Sequence, residues 1–163
     1  MPTHFILIKR GDIYMNIEIY KVEPNSELSK KLLEFVENSS WEETKEHTIK
    51  MIRDNKFSDW EAMFVAMDGD KIVGHASIIK TDYYPMPDIY PWISTVFVTE
   101  EYRGKKISGL LIDYIEKYAK ELGFNKTYIP SEHFGIYERY GYNYEKDIEN
   151  YGGEKDHLFS KKM

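Results

Sequence analysis

The chain has 163 residues and no cysteine, which excludes disulfides, thiolate metal sites and cysteine nucleophiles. An apolar fraction of 42% and a charged fraction of 31% are typical of one folded domain with a sizeable core. The 22 basic and 28 acidic residues give a net charge of −6. This balance argues against a nucleic-acid partner and favours cationic substrates such as amines.

No apolar run in the sequence approaches the roughly 18 to 20 residues that cross a bilayer. The first residues carry one short apolar patch, Phe5 to Ile8, and charges follow it directly. That arrangement differs from a secretory signal. We therefore expect a cytoplasmic protein that binds neither membrane nor nucleic acid.

The N-terminal third predicts strands followed by two helices. Two β-rich runs flank the turn pattern Lys9-Arg10-Gly11-Asp12, and the second run covers Asn16 to Val22. We assign residues 1–14 to an N-terminal extension or extra strand, ahead of a domain over residues 15–163. The first helix begins after a cap at Asn25 or Ser26. The second helix begins at Ser40, in the capping box Ser40-Trp41-Glu42-Glu43.

The middle of the chain predicts a hairpin, a loop, a strand and the strongest helix. The hairpin strands are Trp60 to Met67 and Lys71 to Ile79, joined at Asp68-Gly69-Asp70. An irregular, proline-bearing loop leads to a buried strand over Ile93 to Val98. The apolar stripe of the following helix begins at Ile107, and Gly123 caps its end.

The C-terminal part predicts strands with a short helical turn between them. Lys126 to Ile129 is a strand, and Phe134 to Tyr140 is a short helical turn that ends at Gly141. Tyr142 to Ile148 and His157 to Lys161 are the final strands. This order of elements predicts a mixed α/β fold with a central sheet and helices on both faces.

The turn between the Ile93–Val98 strand and the strong helix has the composition of an anion site. Its cations are Arg103, Lys105 and Lys106, and its small residues are Gly104, Ser108 and Gly109. A helix start offers unpaired amide N–H groups, which a phosphate can approach where side chains are small. A solvated basic helix start fits the same spacing equally well. Neither a P-loop nor a dinucleotide-binding fingerprint is present.

At these residues the sequence resembles the GCN5-related N-acetyltransferase (GNAT) superfamily. The family's acetyl-CoA motif runs from a hydrophobic strand into Arg/Gln-x-x-Gly-x-Gly/Ala and an amphipathic helix. Val96-Phe97-Val98 looks like that strand and Arg103 to Ser108 looks like that turn. Lys106 stands where the family has its first glycine, and we expect its backbone to be helical already. Ser108 stands where the family has glycine or alanine.

A second stretch, from Phe134 to Tyr142, is similar to the family's late Phe-Tyr-x-x-x-Gly-Phe motif. Tyr137 takes the place of the motif's tyrosine, and Gly141-Tyr142 takes the place of Gly-Phe. The resemblance implies a GNAT-like, mostly antiparallel sheet with helices on both faces. It assigns residues 15–163 to the N-acetyltransferase domain.

The resemblance also implies an activity, which is acetyl transfer from acetyl-CoA to a primary amine by direct attack in a ternary complex. The pantetheine arm of the coenzyme pairs with the Ile93–Val98 strand, and the pyrophosphate lies on the amides of the turn. No metal is expected, because the histidines lack ligand spacing. The coenzyme-binding residues that the resemblance implies are Val96, Phe97, Val98, Arg103, Gly104, Lys105, Lys106, Ile107, Ser108 and Gly109.

Tyr137 is implied as the acid that protonates the departing thiolate, although a packing role or a hydrogen bond to the coenzyme sulfur fits it as well. No base is evident, because the strand before the turn carries only Ser94 and Thr95. A water chain would also serve. The residues considered as bases are Asp82, Asp88, Glu132 and His133.

The acceptor is expected to be a small-molecule or protein amine, and the protein a monomer or homodimer. We assign the acceptor site to the aromatic loop and to the segment after the Lys126–Ile129 strand, through Tyr83, Tyr84, Glu132 and His133. Two other functions fit the sequence. One is a non-catalytic acyl-CoA-binding or regulatory module, and the other is a transferase for another acyl group.

Overall fold

The computed structural model describes residues 5–10, 13–54, 57 and 59–163. The strands are β1 (Phe5–Arg10), β2 (Ile13–Val22), β3 (Ala62–Asp68), β4 (Lys71–Ile79), β5 (Trp92–Val98), β6 (Lys126–Ser131), β7 (Asn143–Glu149) and β8 (Lys155–Lys162). The α-helices are α1 (Glu27–Glu37), α2 (Glu42–Asp54) and α3 (Ile107–Glu121). Two single-turn 3₁₀ helices cover Glu100–Tyr102 and Glu138–Tyr140.

The described strands form one sheet of eight, in the order β1-β2-β3-β4-β5-β6-β8-β7. Every neighbouring pair is antiparallel except β5 and β6, which are parallel. The predicted mixed α/β fold, with a mostly antiparallel central sheet, is therefore confirmed.

The two faces of the sheet are covered by different helices. The apolar stripe of α3 packs on one face, where Phe64 of β3 meets the rings of Tyr114 and Tyr118, both with centroids 5.3 Å apart. On the other face, Leu32 and Val36 of α1 are buried with residues of β3, and Ile52 of α2 joins them. Helices on both faces were predicted, and the alternating burial of β3 residues between the two clusters produces the two layers.

The strands β5 and β6 meet at one point and then separate. Their pairing consists of the single register pair Trp92 and Tyr128, and the Tyr128 N–H donates to the Pro91 oxygen at 3.0 Å. Beyond that pair, the β6-facing edge of β5 has no strand partner in the described part of the chain. The sheet therefore contains a V-shaped gap that opens toward the start of α3.

Two predicted caps are confirmed. The side chain of Ser26 accepts the N–H of Ser29 and caps α1, and Gly123 follows α3 with φ of +96°. Gly141 ends the second 3₁₀ turn with φ of +90°. Both glycines hold the left-handed conformation that favours this residue at helix ends.

Three predicted boundaries were wrong. The helix α2 begins at Glu42 rather than at Ser40, and β3 begins at Ala62 rather than at Trp60. The segment predicted as a helical turn from Phe134 is helical only from Glu138. The cause of the last difference is Gly135, whose φ of +88° is incompatible with a right-handed helix.

The N-terminal segment adds a strand to the sheet. Residues Phe5–Arg10 pair with β2 over Ile13 to Glu18, and β2 begins at Ile13 rather than at Asn16. The predicted turn at Gly11 and Asp12 lies outside the described residues. The division into residues 1–14 and 15–163 stays a prediction.

Candidate coenzyme and acceptor sites

The strand β5 carries a bulge beside the gap in the sheet. Phe97 pairs with His75 and Ser94 pairs with Ser77, so β5 holds one more residue than β4 between these pairs. Thr95 lies in the bulge with φ of +51°, a conformation that β-branched residues rarely adopt. The Ser77 hydroxyl stabilises the bulge. Ser77 Oγ lies 2.9 Å from Thr95 Oγ1, and the hydroxyl donates to the Ser94 backbone oxygen at 3.1 Å. Bulges of this kind often occur beside active sites.

The turn from β5 to α3 is tied back to the sheet at two points. The Tyr102 hydroxyl donates to Asp68 Oδ2 at 2.7 Å. The Arg103 Nε donates to the Val98 oxygen at 3.0 Å, and its guanidinium lies 5.6 Å from the centre of the Phe97 ring. Gly104 then takes φ of +75°. These contacts fix where the following amides point.

The backbone N–H groups from Gly104 to Gly109 donate to no protein acceptor within the described residues. The first helical hydrogen bond of α3 runs from the Leu110 N–H to the Lys106 oxygen at 3.2 Å. These donors lie at the positive end of the helix dipole, next to Lys105 and Lys106. This arrangement can hold a phosphate or diphosphate group.

Lys106 does not have the right-handed helical backbone that we expected. It caps α3 in the left-handed conformation, with φ of 63° and ψ of 20°. Glycine adopts this conformation without steric cost, which is the physical reason for a glycine at this position of the family motif. The Lys106 side chain is exposed and makes no capping hydrogen bond.

A contact between tyrosine and serine joins the late motif to the start of α3. The Tyr140 hydroxyl oxygen lies 2.9 Å from Ser108 Oγ. A Cβ atom built on Gly109 would lie 2.8 Å from Tyr140 Cε1, which is too close for any larger residue. The small residues predicted to admit a phosphate therefore also admit this tyrosine ring.

Tyr137 precedes the same 3₁₀ turn and packs against the core beneath α3. Burial raises the pKa of its hydroxyl to about 12, and the nearby Tyr140 adds to the shift. The hydroxyl is therefore protonated at neutral pH and can donate a proton or a hydrogen bond.

An aromatic cluster covers the opposite face of β5, on the side of α1 and α2. The Phe97 ring stacks on Trp41 with centroids 5.7 Å apart and on His75 at 5.6 Å. Phe35 of α1 meets the edge of both inner rings. Burial lowers the pKa of His75 to about 4, against a backbone hydrogen bond with Thr95 that raises it. No local pattern in the sequence indicates this cluster, because only the β4–β5 register brings His75 to Phe97.

The loop over residues 80–91 is anchored to the start of β8. The Tyr84 hydroxyl donates to Asp156 Oδ2 at 2.6 Å, and its ring stacks on Trp92. Burial and this carboxylate raise the pKa of Tyr84. Tyr83 is exposed and contacts Tyr151. Of the two predicted acceptor tyrosines, Tyr84 is therefore buried and Tyr83 is exposed.

The residues considered as bases lie in different surroundings. Asp88, Glu132 and His133 are exposed, and the His133 backbone is held by the Ser131 hydroxyl. Asp82 is half-buried at the start of the loop, and burial raises the pKa of its carboxyl group. Among the described residues there is no group of three or more histidine, aspartate or glutamate side chains that could hold a metal ion.

The chain belongs to the acetyltransferase (GNAT) family, because the model of that family matches residues 30–142, well over half of the sequence. No functionally curated protein matches the sequence. The longest described helix has 15 residues, and none of the described helices meets the requirements for a membrane span.

Solved structures with the same fold include several acetyltransferases. The aminoglycoside 6'-N-acetyltransferase from Enterococcus faecium is 17% identical with a TM-score of 0.68, over 88% of this chain and 96% of that one. An aminoglycoside 6'-N-acetyltransferase complexed with coenzyme A is 15% identical, with a TM-score of 0.65 and the same coverage. A GNAT family acetyltransferase from Elizabethkingia anophelis with acetyl-CoA bound is 16% identical, with a TM-score of 0.60, over 90% and 98% of the two chains. At this identity the likeness shows the fold.

Proposed function

We propose that the protein is an N-acetyltransferase that moves an acetyl group from acetyl-CoA to a primary amine. One observation carries the proposal. The amides from Gly104 to Gly109 follow β5, and beyond Trp92 the edge of β5 toward β6 has no strand partner among the described residues. The amides suit a diphosphate group, and the open strand edge suits an amide-bearing arm on the same ligand.

In this proposal, the pantetheine arm pairs with β5 and the pyrophosphate lies on the turn. Lys105 and Lys106 neutralise its charge, in a protein whose net charge is −6. The coenzyme-binding residues are Val96, Phe97, Val98, Arg103, Gly104, Lys105, Lys106, Ile107, Ser108 and Gly109. Relatives in the same fold with coenzyme A or acetyl-CoA bound support this assignment.

The chemistry is direct attack of the amine nitrogen on the thioester carbonyl. Without cysteine, the chain has no thiol to form an acyl-enzyme. Most of the rate comes from holding the two substrates together and from a backbone N–H near Phe97 or Val98 that polarises the carbonyl. The bulge at Thr95 directs the β5 backbone next to that point.

We assign Tyr137 as the acid that protonates the departing thiolate. Its hydroxyl keeps its proton at neutral pH because burial raises its pKa to about 12. The change Tyr137→Phe should lower kcat by about 100-fold, a typical contribution of general acid catalysis. Turnover near that of the wild type at every pH would exclude the role. Tyr144→Phe, which removes an exposed hydroxyl, serves as the control.

The acceptor is a small-molecule or protein amine that enters beside the loop over residues 80–91. We place Tyr83, Tyr84, Glu132 and His133 around this entrance. Two of the structural relatives carry the name aminoglycoside 6'-N-acetyltransferase, which supports a polar amine as substrate. A cytoplasmic location, a domain over residues 15–163 and a monomeric or homodimeric state stay predictions from the sequence.

Calorimetry with acetyl-CoA, followed by a free-thiol release assay, tests the proposal. The amine panel holds spermidine, lysine, glucosamine, kanamycin and a lysine-containing peptide. We expect binding, and thiol release with at least one amine. Binding without release favours the non-catalytic module, and release only from longer acyl-CoA thioesters favours another acyl group.

Charge reversal in the turn tests whether the turn binds the coenzyme. The double change Lys105→Glu and Lys106→Glu should weaken acetyl-CoA binding at least tenfold, or about 1.4 kcal/mol. Lys120→Glu makes a charge change of the same kind on an exposed residue near the far end of α3 and should leave the affinity nearly unchanged. Equal effects at both places would show that the turn is not the site.

A further inference from the structure

The proposed reaction needs an acceptor for a proton. An aliphatic amine with a pKa near 10 arrives as an ammonium ion, which cannot attack a carbonyl. Close to Phe97, the polar side chains that β5 offers are the hydroxyls of Ser94 and Thr95. A carboxylate close to these hydroxyls can take the proton.

Asp82 is the carboxylate that meets this requirement. Its Oδ1 accepts the Tyr83 N–H at 2.7 Å, whereas its Oδ2 is buried and has no hydrogen-bond partner among the described residues. A buried carboxylate oxygen without a donor is costly and rare in a purely structural role. The side chain of Ser94 lies beside the same carboxyl group.

Hydroxyl groups cluster where β4 and β5 pair beside the bulge. The Ser77 hydroxyl donates to the Ser94 backbone oxygen and contacts Thr95 Oγ1. The next pair on the same face is His75 with Phe97, where the backbone is proposed to hold the thioester carbonyl. The Asp82 carboxyl group, which lies beside the Ser94 side chain, is therefore near the strand segment that leads to the proposed site.

The charges around Asp82 act in opposite directions. Burial raises the pKa of the carboxyl group, and Asp156 of β8 raises it further, whereas the Tyr83 amide, Ser94 and His47 of α2 lower it. Tyr84, the other titratable group nearby, donates its proton to Asp156. The net effect is a carboxylate that is a stronger base than an exposed aspartate.

We propose that Asp82 accepts the proton of the incoming ammonium ion through the Ser94 hydroxyl. This inference rests on the proposed acetyl transfer and adds a residue to it. Asp88, Glu132 and His133 are exposed, whereas Asp82 holds a buried, unpartnered oxygen, and this difference favours Asp82 among the four.

In the proposed reaction the amine nitrogen loses two protons and forms one new bond. The ammonium ion gives one proton to the Asp82 carboxylate, and the freed nitrogen lone pair forms the C–N bond to the thioester carbon. The C–S bond then breaks and the sulfur leaves with its electron pair, taking a proton from Tyr137. The nitrogen loses its second proton, which restores Tyr137 through solvent, and Asp82 releases its own proton to solvent.

The test is the pH dependence of kcat/KM for Asp82→Asn, with the most active amine of the panel. At neutral pH we expect a loss of about 100-fold or more. The loss should shrink as the pH approaches the pKa of the amine, because the neutral amine no longer needs a base. Acetyl-CoA affinity should be unchanged. Asp113→Asn removes an exposed carboxylate of α3 and is the matched control.

Thermal unfolding separates this role from a structural one. Because Asn replaces a buried carboxylate with a neutral group, Asp82→Asn should unfold at the wild-type temperature or higher. A rate and pH profile equal to those of the wild type would overturn the inference, and so would a loss that is the same at every pH. Absence of thiol release by the wild type with every amine would overturn the proposed function itself, and the inference with it.

Discussion

At the start of α3, a lysine holds a backbone conformation that costs glycine nothing. The φ of 63° at Lys106 brings its Cβ close to the backbone, at a cost of about 1 kcal/mol for a non-glycine residue. In exchange, the position gains a cation beside the free amides. Lys106 therefore places charge and backbone strain at one residue of the proposed coenzyme site.

We expect Lys106→Gly to raise the free energy of unfolding by about 1 kcal/mol relative to Lys106→Ala. Both variants lose the ammonium group, so the comparison isolates the backbone, and urea unfolding measures it. Glycine also gains entropy in the unfolded chain, which works against the gain. A Lys106→Gly variant that is less stable than Lys106→Ala would contradict this expectation.

Among the elements, β4 leaves no room for a side chain against β5 at Gly74. A Cβ atom at this position would lie 2.8 Å from the Phe97 backbone oxygen and 3.3 Å from Val98 Cγ2. Backbone cannot move aside as a side-chain end can, so the two strands must separate to admit it. The segment that would move is the one proposed to hold the thioester.

Gly74→Ala should therefore lower the free energy of unfolding by about 1–3 kcal/mol and weaken acetyl-CoA binding as well. Denaturant unfolding and calorimetry measure the two effects. Gly152→Ala is the control, because its Cβ would meet only side-chain atoms of Asn150 and Tyr83. A stable Gly74→Ala variant with wild-type affinity would contradict the close approach.

The elements that the sequence predicted well are those with a local signal. The stripe from Ile107 and the glycine at 123 define α3, and Asp68-Gly69-Asp70 defines the β3–β4 hairpin. The bulge at Thr95 and the gap beside β5 depend on pairing between distant strands, which no local pattern encodes. The same holds for the aromatic cluster around His75. The proposed phosphate turn was found from its composition, but its left-handed lysine was not.

For the whole molecule, the buried His75 makes stability depend on pH. The unfolded chain binds a proton at this histidine near pH 6.5, and the folded chain does so only near pH 4. Stability contributed by the neutral ring is present above pH 6.5 and is lost as the pH falls toward 4. The loss amounts to about 3 kcal/mol at most.

We expect His75→Phe, which cannot be protonated, to lose less stability between neutral and acidic pH than the wild type does. Chemical denaturation at a series of pH values measures the slope, which does not depend on how well the new ring packs. His133→Gln removes an exposed histidine and should keep the wild-type slope. Identical slopes for His75→Phe and the wild type would show that His75 does not set the acid limit.

The single pair Trp92 and Tyr128 is the only place where β5 meets β6 in the described sheet. The strands after the gap are joined to the rest of the protein mainly through α3, because Ile129 of β6 and Phe159 of β8 share one buried core with Leu111. An amide-bearing ligand arm in the gap would pair with β5 as an added strand. If the proposed coenzyme binds there, it should also raise the unfolding temperature, because a ligand that binds only the folded chain stabilises it.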